Sequence, residues 1–282
     1  MKRFLMWVVG LFVVVAGGLW VNWQLAIPSH ERNWRADHSR VPKVAEVDGL
    51  WTVEDVRNWD YAEDGTIARE AWETVQIVPA QLEQAYFIVE PFASNAAIAH
   101  TMMSFRFEDG SAYVASVEAR REEGEVYNAP KAAVLPIFEY LFVWTTERDM
   151  FGNSEFWADD RLYMYPLAIP LEQQRAVLEA MLRETAEVQA EPRWYNTLFS
   201  NCTNVLARTV NRLSPGAVPM SKAWVLTGYA DDFLFENGMI VDKGGFAATQ
   251  EKAFISPLIR ELYEEQDPAA FSTALRAAMD AR

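Results

Sequence analysis

Residues 4 to 21 read FLMWVVGLFVVVAGGLWV, 18 residues without a charge, and Trp23, Leu25 and Ile27 follow. This run constrains the fold more than any other stretch. At 1.5 Å of rise per residue, about 20 apolar residues in a helix cross the hydrocarbon layer of a bilayer. Lys2 and Arg3 precede the run, and no acidic residue comes before Glu31. The positive-inside rule then keeps the amino terminus in the cytoplasm and puts the rest of the chain outside. Trp20 and Trp23 fall where an outer interfacial belt lies. The expectation is an uncleaved anchor over residues 1–27. The competing one is a signal peptide cut after Val14-x-Ala16, but the apolar run continues past that site.

The outer part is acidic. With Lys2 and Arg3 set aside, 23 basic side chains face 40 acidic ones. Such a surface repels phosphates, so nucleic acid is not an expected partner, and electrostatic adhesion to anionic lipid is disfavoured. Cys202 is the single cysteine. An internal disulfide is therefore impossible, and with no cysteine near residue 20 the chain is not itself amino-terminally lipidated. His30, His38 and His100 with one cysteine make no recognisable metal-ligand cluster. Neither GxxxxGK[ST] nor GxGxxG occurs. No metal and no cofactor are expected.

Pro28 to Pro42 is polar and reads as a linker or a clamp beside the membrane, so residues 28–46 are assigned as juxtamembrane and 47–282 as the outer domain. Residues 47–90 suggest short strands and a helix. Residues 98–121, IAHTMMSFRFEDGSAYVASVEARR, alternate around a turn signal and predict a hairpin. Residues 135–147 form a buried apolar segment, and 161–169 a strand. Pro170 can open a helix with Leu171, Leu178, Met181, Leu182 and Val188 at helical spacing. A second helix carries Val205, Leu206, Thr209, Val210 and Leu213 on one face. Residues 214–282 read as irregular structure with late helices such as SPLIRELYEEQ. Hairpins mixed with helices, without repeats, predict one α+β domain.

The hairpin turn fixes its register. A three-residue loop Glu108-Asp109-Gly110, with Gly110 left-handed, faces Phe107 with Ser111. Tyr113 then pairs with Phe105, Ala115 with Met103 and Val117 with Thr101, all on one face. His100 pairs with Glu118 on the other. A loop one residue shorter would mix the faces. A carboxylate directly across from an imidazole can orient the ring and stabilise its charged form. The pair is equally compatible with an ordinary ion pair on a solvated sheet face. Were the register one residue off, Asn95 and Ser116 would be the polar residues to consider instead.

Cys202 sits where Ser200 or Asn201 can cap the second helix. Free N–H groups and the dipole at a helix start favour a thiolate, and a nearby imidazolium favours it further. An accessible, acidic thiol is expected. The other reading is a buried structural cysteine, since free cysteine is among the most buried residue types. Asn201-Cys202-Thr203 also matches a glycosylation sequon, which carries no weight in a chain whose short anchor and composition read as bacterial.

The stretches AHTMMSFRFEDG, SVEARREEGEVY, TTERDM, LYMYPL and EPRWYNTLFSNCTNVL resemble the periplasmic domain of Lnb-type bacterial lipoprotein N-acyltransferases, over roughly residues 33 to 235. In order and setting they are also similar to the circularly permuted papain-like group that includes lecithin–retinol acyltransferase. There the histidine strand precedes the cysteine helix. The resemblance implies an antiparallel sheet packed on a cysteine-bearing helix, with Cys202 as nucleophile, His100 as base and Glu118 as third member. Tyr195, Asn201, Thr203 and Arg120 lie in the same stretches and are candidates for supporting the substrate or the oxyanion. Lnb-type enzymes carry further membrane helices after this domain, whereas this sequence shows only the amino-terminal one. A shortened relative is expected to act on a different acceptor or with a membrane-protein partner.

The resemblance implies a thiol acyltransferase of the bacterial inner membrane, single-pass, with its catalytic domain in the periplasm. A membrane phospholipid or a diacylglyceryl lipoprotein would donate an acyl chain to Cys202, and a lipoprotein amino terminus would receive it. The alternatives are an envelope thiol amidase or peptidase acting on peptidoglycan, and a non-enzymatic envelope scaffold.

Overall fold

The computed structural model describes residues 1–92 and 97–282. The chain runs through α1 (Lys2–Leu25), β1 (Lys43–Val47), β2 (Leu50–Arg57), β3 (Asp60–Tyr61), β4 (Ile67–Arg69), β5 (Trp72–Ile77), β6 (Leu82–Pro91), β7 (Ala99–Phe107) and β8 (Ala112–Arg120). Then come α2 (Ala129–Val134), β9 (Glu139–Thr146), α3 (Glu147–Gly152), β10 (Tyr163–Pro166), α4 (Leu171–Ala190), β11 (Arg193–Trp194) and α5 (Cys202–Leu213). The last elements are α6 (Ala230–Glu236), α7 (Phe246–Ala253), α8 (Ser256–Leu262) and α9 (Pro268–Asp280). The helix expected within residues 47–90 is absent. That stretch is strands with one 3-10 turn at Pro79–Gln81, because its apolar residues alternate and are rich in β-branched side chains.

The main sheet has the order β1-β2-β9-β8-β7-β6-β10, with β5 also paired to β2 and β11 to β9. The turn at its centre has the predicted form. Gly110 has φ +87°, a conformation that costs a residue with a Cβ. The Phe107 N–H donates to Ser111 O at 2.9 Å, and the Gly110 N–H to Phe107 O at 3.0 Å. Met102 pairs with Ser116, Met103 with Ala115, Ser104 with Val114 and Phe105 with Tyr113.

Two layers cover the sheet. On one face Phe87, Met103, Phe105, Ala115, Phe142 and Trp144 bury against Leu178, Met181 and Leu182 of α4 and Val205 and Leu206 of α5. Those helix residues follow the spacing read from the sequence, but Leu171 and Leu213 at its ends are exposed. On the other face Ile88, Met102 and Val114 bury against Met150 and Phe151 of α3, Leu258 and Ile259 of α8, and Phe271 and Leu275 of α9. The sheet therefore has no solvated face at the hairpin. Ser104 in β7 and Arg276 in α9 both bond the buried Glu147 carboxylate and tie this second layer down.

Residues 29–40 act as a clamp. The Trp34 backbone bridges to Glu122, and the Arg35 N–H donates to Arg121 O at 3.1 Å. Arg32 pairs with Glu139 at 2.8 Å. The Arg120 side chain donates to His38 O at 2.8 Å and to Ser39 O at 3.1 Å, and its guanidinium lies 4.1 Å from the centre of the Trp34 ring. At the same end of the sheet, the last turn of α1 donates from Trp23 Nε1 to Val134 O at 2.9 Å. The helix α1 is long and apolar enough to cross a membrane, and none of it is buried by the domain.

Candidate active site

At this end of the sheet the two layers part around a cleft of about 260 Å3. His100, Glu118, Cys202 and Tyr195 all line it. His100 is the second residue of β7 and Glu118 belongs to β8, so the hairpin register brings them together. His100 Nε2 is 3.0 Å from Glu118 Oε1. Ser116 Oγ lies 2.6 Å from the same nitrogen and donates to Glu118 Oε1 at 2.5 Å. With Nε2 so engaged, Nδ1 is the ring atom left for the thiol. Asn95 lies outside the described residues.

Cys202 is the first residue of α5. Asn201 caps the helix: its side chain accepts the Asn204 N–H at 2.8 Å, while Asn204 Oδ1 accepts the Asn201 N–H at 2.9 Å. This reciprocal box fixes the first turn. Thr101 and Thr203 exchange a hydroxyl hydrogen bond at 2.9 Å, which holds α5 on β7. Thr227 Oγ1 accepts the Ala99 N–H at 2.8 Å and donates to Ala99 O at 2.5 Å, setting the strand end beside the thiol. Cys202 Sγ is 4.0 Å from Ala99 O.

The electrostatics favour a thiolate–imidazolium pair. Burial pushes the Cys202 thiol up, but the hydrogen bond and charge of His100, with hydrogen bonds from Thr101, bring it below its ordinary value. Desolvation opposes the imidazolium, yet the charge of Glu118, the bond to Cys202 and the bond to Glu118 hold His100 well above the usual histidine range. Burial raises the Glu118 carboxyl, and the charge and hydrogen bond of His100 outweigh that, leaving it well below the usual carboxylate range. The expected accessibility of Cys202 needs correction. The residue is only 5% exposed, in a cleft whose lining it shares with Tyr195 and Thr227.

The supporting candidates separate. Tyr195 lines the cleft, with its hydroxyl 3.1 Å from that of Tyr127. Asn201 also lines it, but its amide donates to Thr197 O and Trp224 O, so that side chain is committed to the loops. Thr203 faces the apolar layer, between α5 and the sheet. Arg120 is not among the lining residues. It is 1% exposed and holds the clamp of residues 29–40, since its place at the end of β8 points it toward residues 34–39.

Several lining residues had no signal in the sequence reading. Asp37 and His38 enter from the clamp, and Arg57 from β2, where Asp149 engages it at 2.7 Å. His38 is buried and its pKa falls to about 4, because desolvation outweighs the neighbouring Asp37 and Glu118 charges. Its Nδ1 accepts the Arg121 N–H at 3.3 Å. Glu90 is the last but one residue of β6, directly across the register from His100. A carboxylate directly after the apolar run of residues 85–89 was the available clue.

The mixed α+β domain thus gathers a thiol, an imidazole and a carboxylate in one cleft. A family model described as the Lnb N-terminal periplasmic domain matches residues 68–226. The match spans more than half of the chain and contains His100, Glu118 and Cys202; the chain belongs to this family. Comparison with curated proteins gave no match, and neither did comparison with solved structures.

Proposed function

We propose that the protein is a membrane-anchored, cysteine-dependent acyltransferase on a permuted papain-like domain, held in the bacterial inner membrane by α1 with the domain in the periplasm. The observation that carries this reading is the linked set Cys202, His100 and Glu118 at the anchor end of the sheet. The Cys202 thiolate attacks an acyl ester of a membrane phospholipid or of a diacylglyceryl lipoprotein. The N–H groups of Cys202 and Thr203, at the start of α5, serve the developing oxyanion, since the capping box occupies that of Asn204. His100 gives its proton to the leaving oxygen, and a thioester remains on Cys202. A lipoprotein α-amine then attacks the thioester, returning the pair to thiolate and imidazolium. Glu118, steadied by Ser116, keeps the ring oriented through both steps.

Polar and charged walls also suit a peptide, which keeps a thiol amidase or peptidase of the envelope as the second reading. Intact-mass spectrometry of the full chain in phospholipid micelles separates them. An acyl adduct on the wild type, absent in Cys202→Ala, is expected. Peptidoglycan cleavage without any acyl adduct would overturn the acyltransferase reading. Mass spectra of lipoprotein amino termini, with and without the protein, test the acceptor.

A further inference from the structure

The cleft contains a carboxyl group that the steps above leave unused. Glu90 pairs with His100 across β6 and β7, as Glu118 does across β7 and β8, so the three side chains stand in a row on one face of the sheet. Asp37 is held by Arg35, and Glu118 by His100. No lysine or arginine forms an ion pair with Glu90 among the described residues, although Glu90 is only 6% exposed. The opposing charge at Glu90 is that of His100, which Glu118 already pairs and which is lost when His100 gives up its proton in the thioester state; a cationic ligand can then replace it. On the far side Glu90 meets the π-helical segment Asn153–Ala158, near Ser154.

We propose that Glu90 forms the subsite for a primary amine acceptor, receiving its ammonium group and taking one proton from it beside the thioester. This rests on the thioester reading of Cys202. The acceptor arrives as R–NH3+, with a pKa of about 8 for an α-amine, and pairs with the Glu90 carboxylate. One proton passes to Glu90. The neutral amine forms a C–N bond to the thioester carbonyl carbon and gives its second proton to His100. The C–S bond breaks, the electron pair returns to sulfur, and the amide leaves. The imidazolium–thiolate pair is restored, and Glu90 passes its proton to water. Desolvation raises the Glu90 carboxyl to about 7 against the opposing charge of His100, which suits it to exchange a proton with an amine near neutral pH.

The test separates the two half-reactions in the full chain in phospholipid micelles. Acyl-Cys202 is followed by intact mass and then challenged with an S-alkylated cysteinyl peptide bearing a free α-amine, or with methoxyamine, which is already neutral at pH 7. On the preformed thioester, Glu90→Gln is expected to lower the ratio of the peptide's reaction to that of methoxyamine about 10²-fold. Glu90→Asp, which retains the acid, should slow the peptide alone and serves if the glutamine variant does not fold. Equal slowing of both nucleophiles, or of neither, would overturn the Glu90 assignment while leaving the thioester intact. A wild-type chain that forms no thioester would overturn the acyltransferase reading and this subsite with it.

Discussion

Cys202 is reactive only as a thiolate, and its low exposure makes the size of any reagent matter. Iodoacetamide, small enough for the cleft, should label the native wild type well below pH 8, where an ordinary thiol of pKa about 8.5 is protonated. His100→Ala removes the hydrogen bond and charge that lower the thiol, so labelling should slow and its pH midpoint should rise. Labelling that requires unfolding would exclude Cys202 as the nucleophile. Glu118→Gln keeps a hydrogen-bonding partner for His100 but deletes the charge. Thioester formation should fall roughly 10²–10⁴-fold by analogy with triads, with secondary structure unchanged by circular dichroism. The linkage has a definite sign. Glu118 is held low in the folded chain, so its contribution to stability is present above the usual carboxylate range and is lost on acidification. His100 is held high, so its contribution is complete below pH 6.5 and is lost as pH rises through its folded value.

Among the elements, the π-helical continuation of α3 and the packing of α8 on it carry the strictest contact. A Cβ on Gly152 would lie 2.1 Å from the Tyr263 hydroxyl and 2.5 Å from the ring carbon that bears it. Neither the ring nor α3 is free to move, because Tyr263 packs on Phe156 and Phe271. Gly152→Ala should therefore destabilise the chain by about 1–3 kcal/mol through overpacking. The thermal midpoint of the purified chain in detergent should fall; an unchanged midpoint would mean that the second layer is loosely packed. The α5 helix works differently. Its capping box and the Thr101–Thr203 bond fix the first turn, so Cys202 sits on a rigid element rather than on a loop.

At the level of the whole molecule, the segment that follows α1 forms one wall of the cleft. His38 is buried and neutral, with a folded pKa of about 4 against an ordinary 6.5. Its contribution to stability is therefore complete above pH 6.5 and lost as pH falls through about 4, a difference of roughly 3 kcal/mol at most. The thermal midpoint of wild type should drop more steeply than that of His38→Gln over this window, and parallel curves would remove His38 from the clamp's stability. Topology is tested separately. Protease added to spheroplasts should digest the domain while the mature chain still begins at Met1. A mature start near Gly17 would indicate a cleaved signal instead.

The sequence by itself determined the apolar amino-terminal helix, the α5 face, and the hairpin register that sets Glu118 opposite His100. These are local matters: a length of apolar chain, a 3.6-residue period, and a turn whose one glycine takes a left-handed conformation. The cysteine beside that pair came from the family's likeness, because strand and helix lie about a hundred residues apart and no local pattern joins them. The tertiary structure decided what periodicity cannot express. Residues 256–280 cover the second face of the sheet, since Phe271 and Leu275 find Met102 and Val114 only after the chain has closed. Arg120, legible as a motif residue, was turned to the clamp by its place at a strand end, and Glu90 was brought to His100 by a pairing between β6 and β7 that only the assembled sheet fixes.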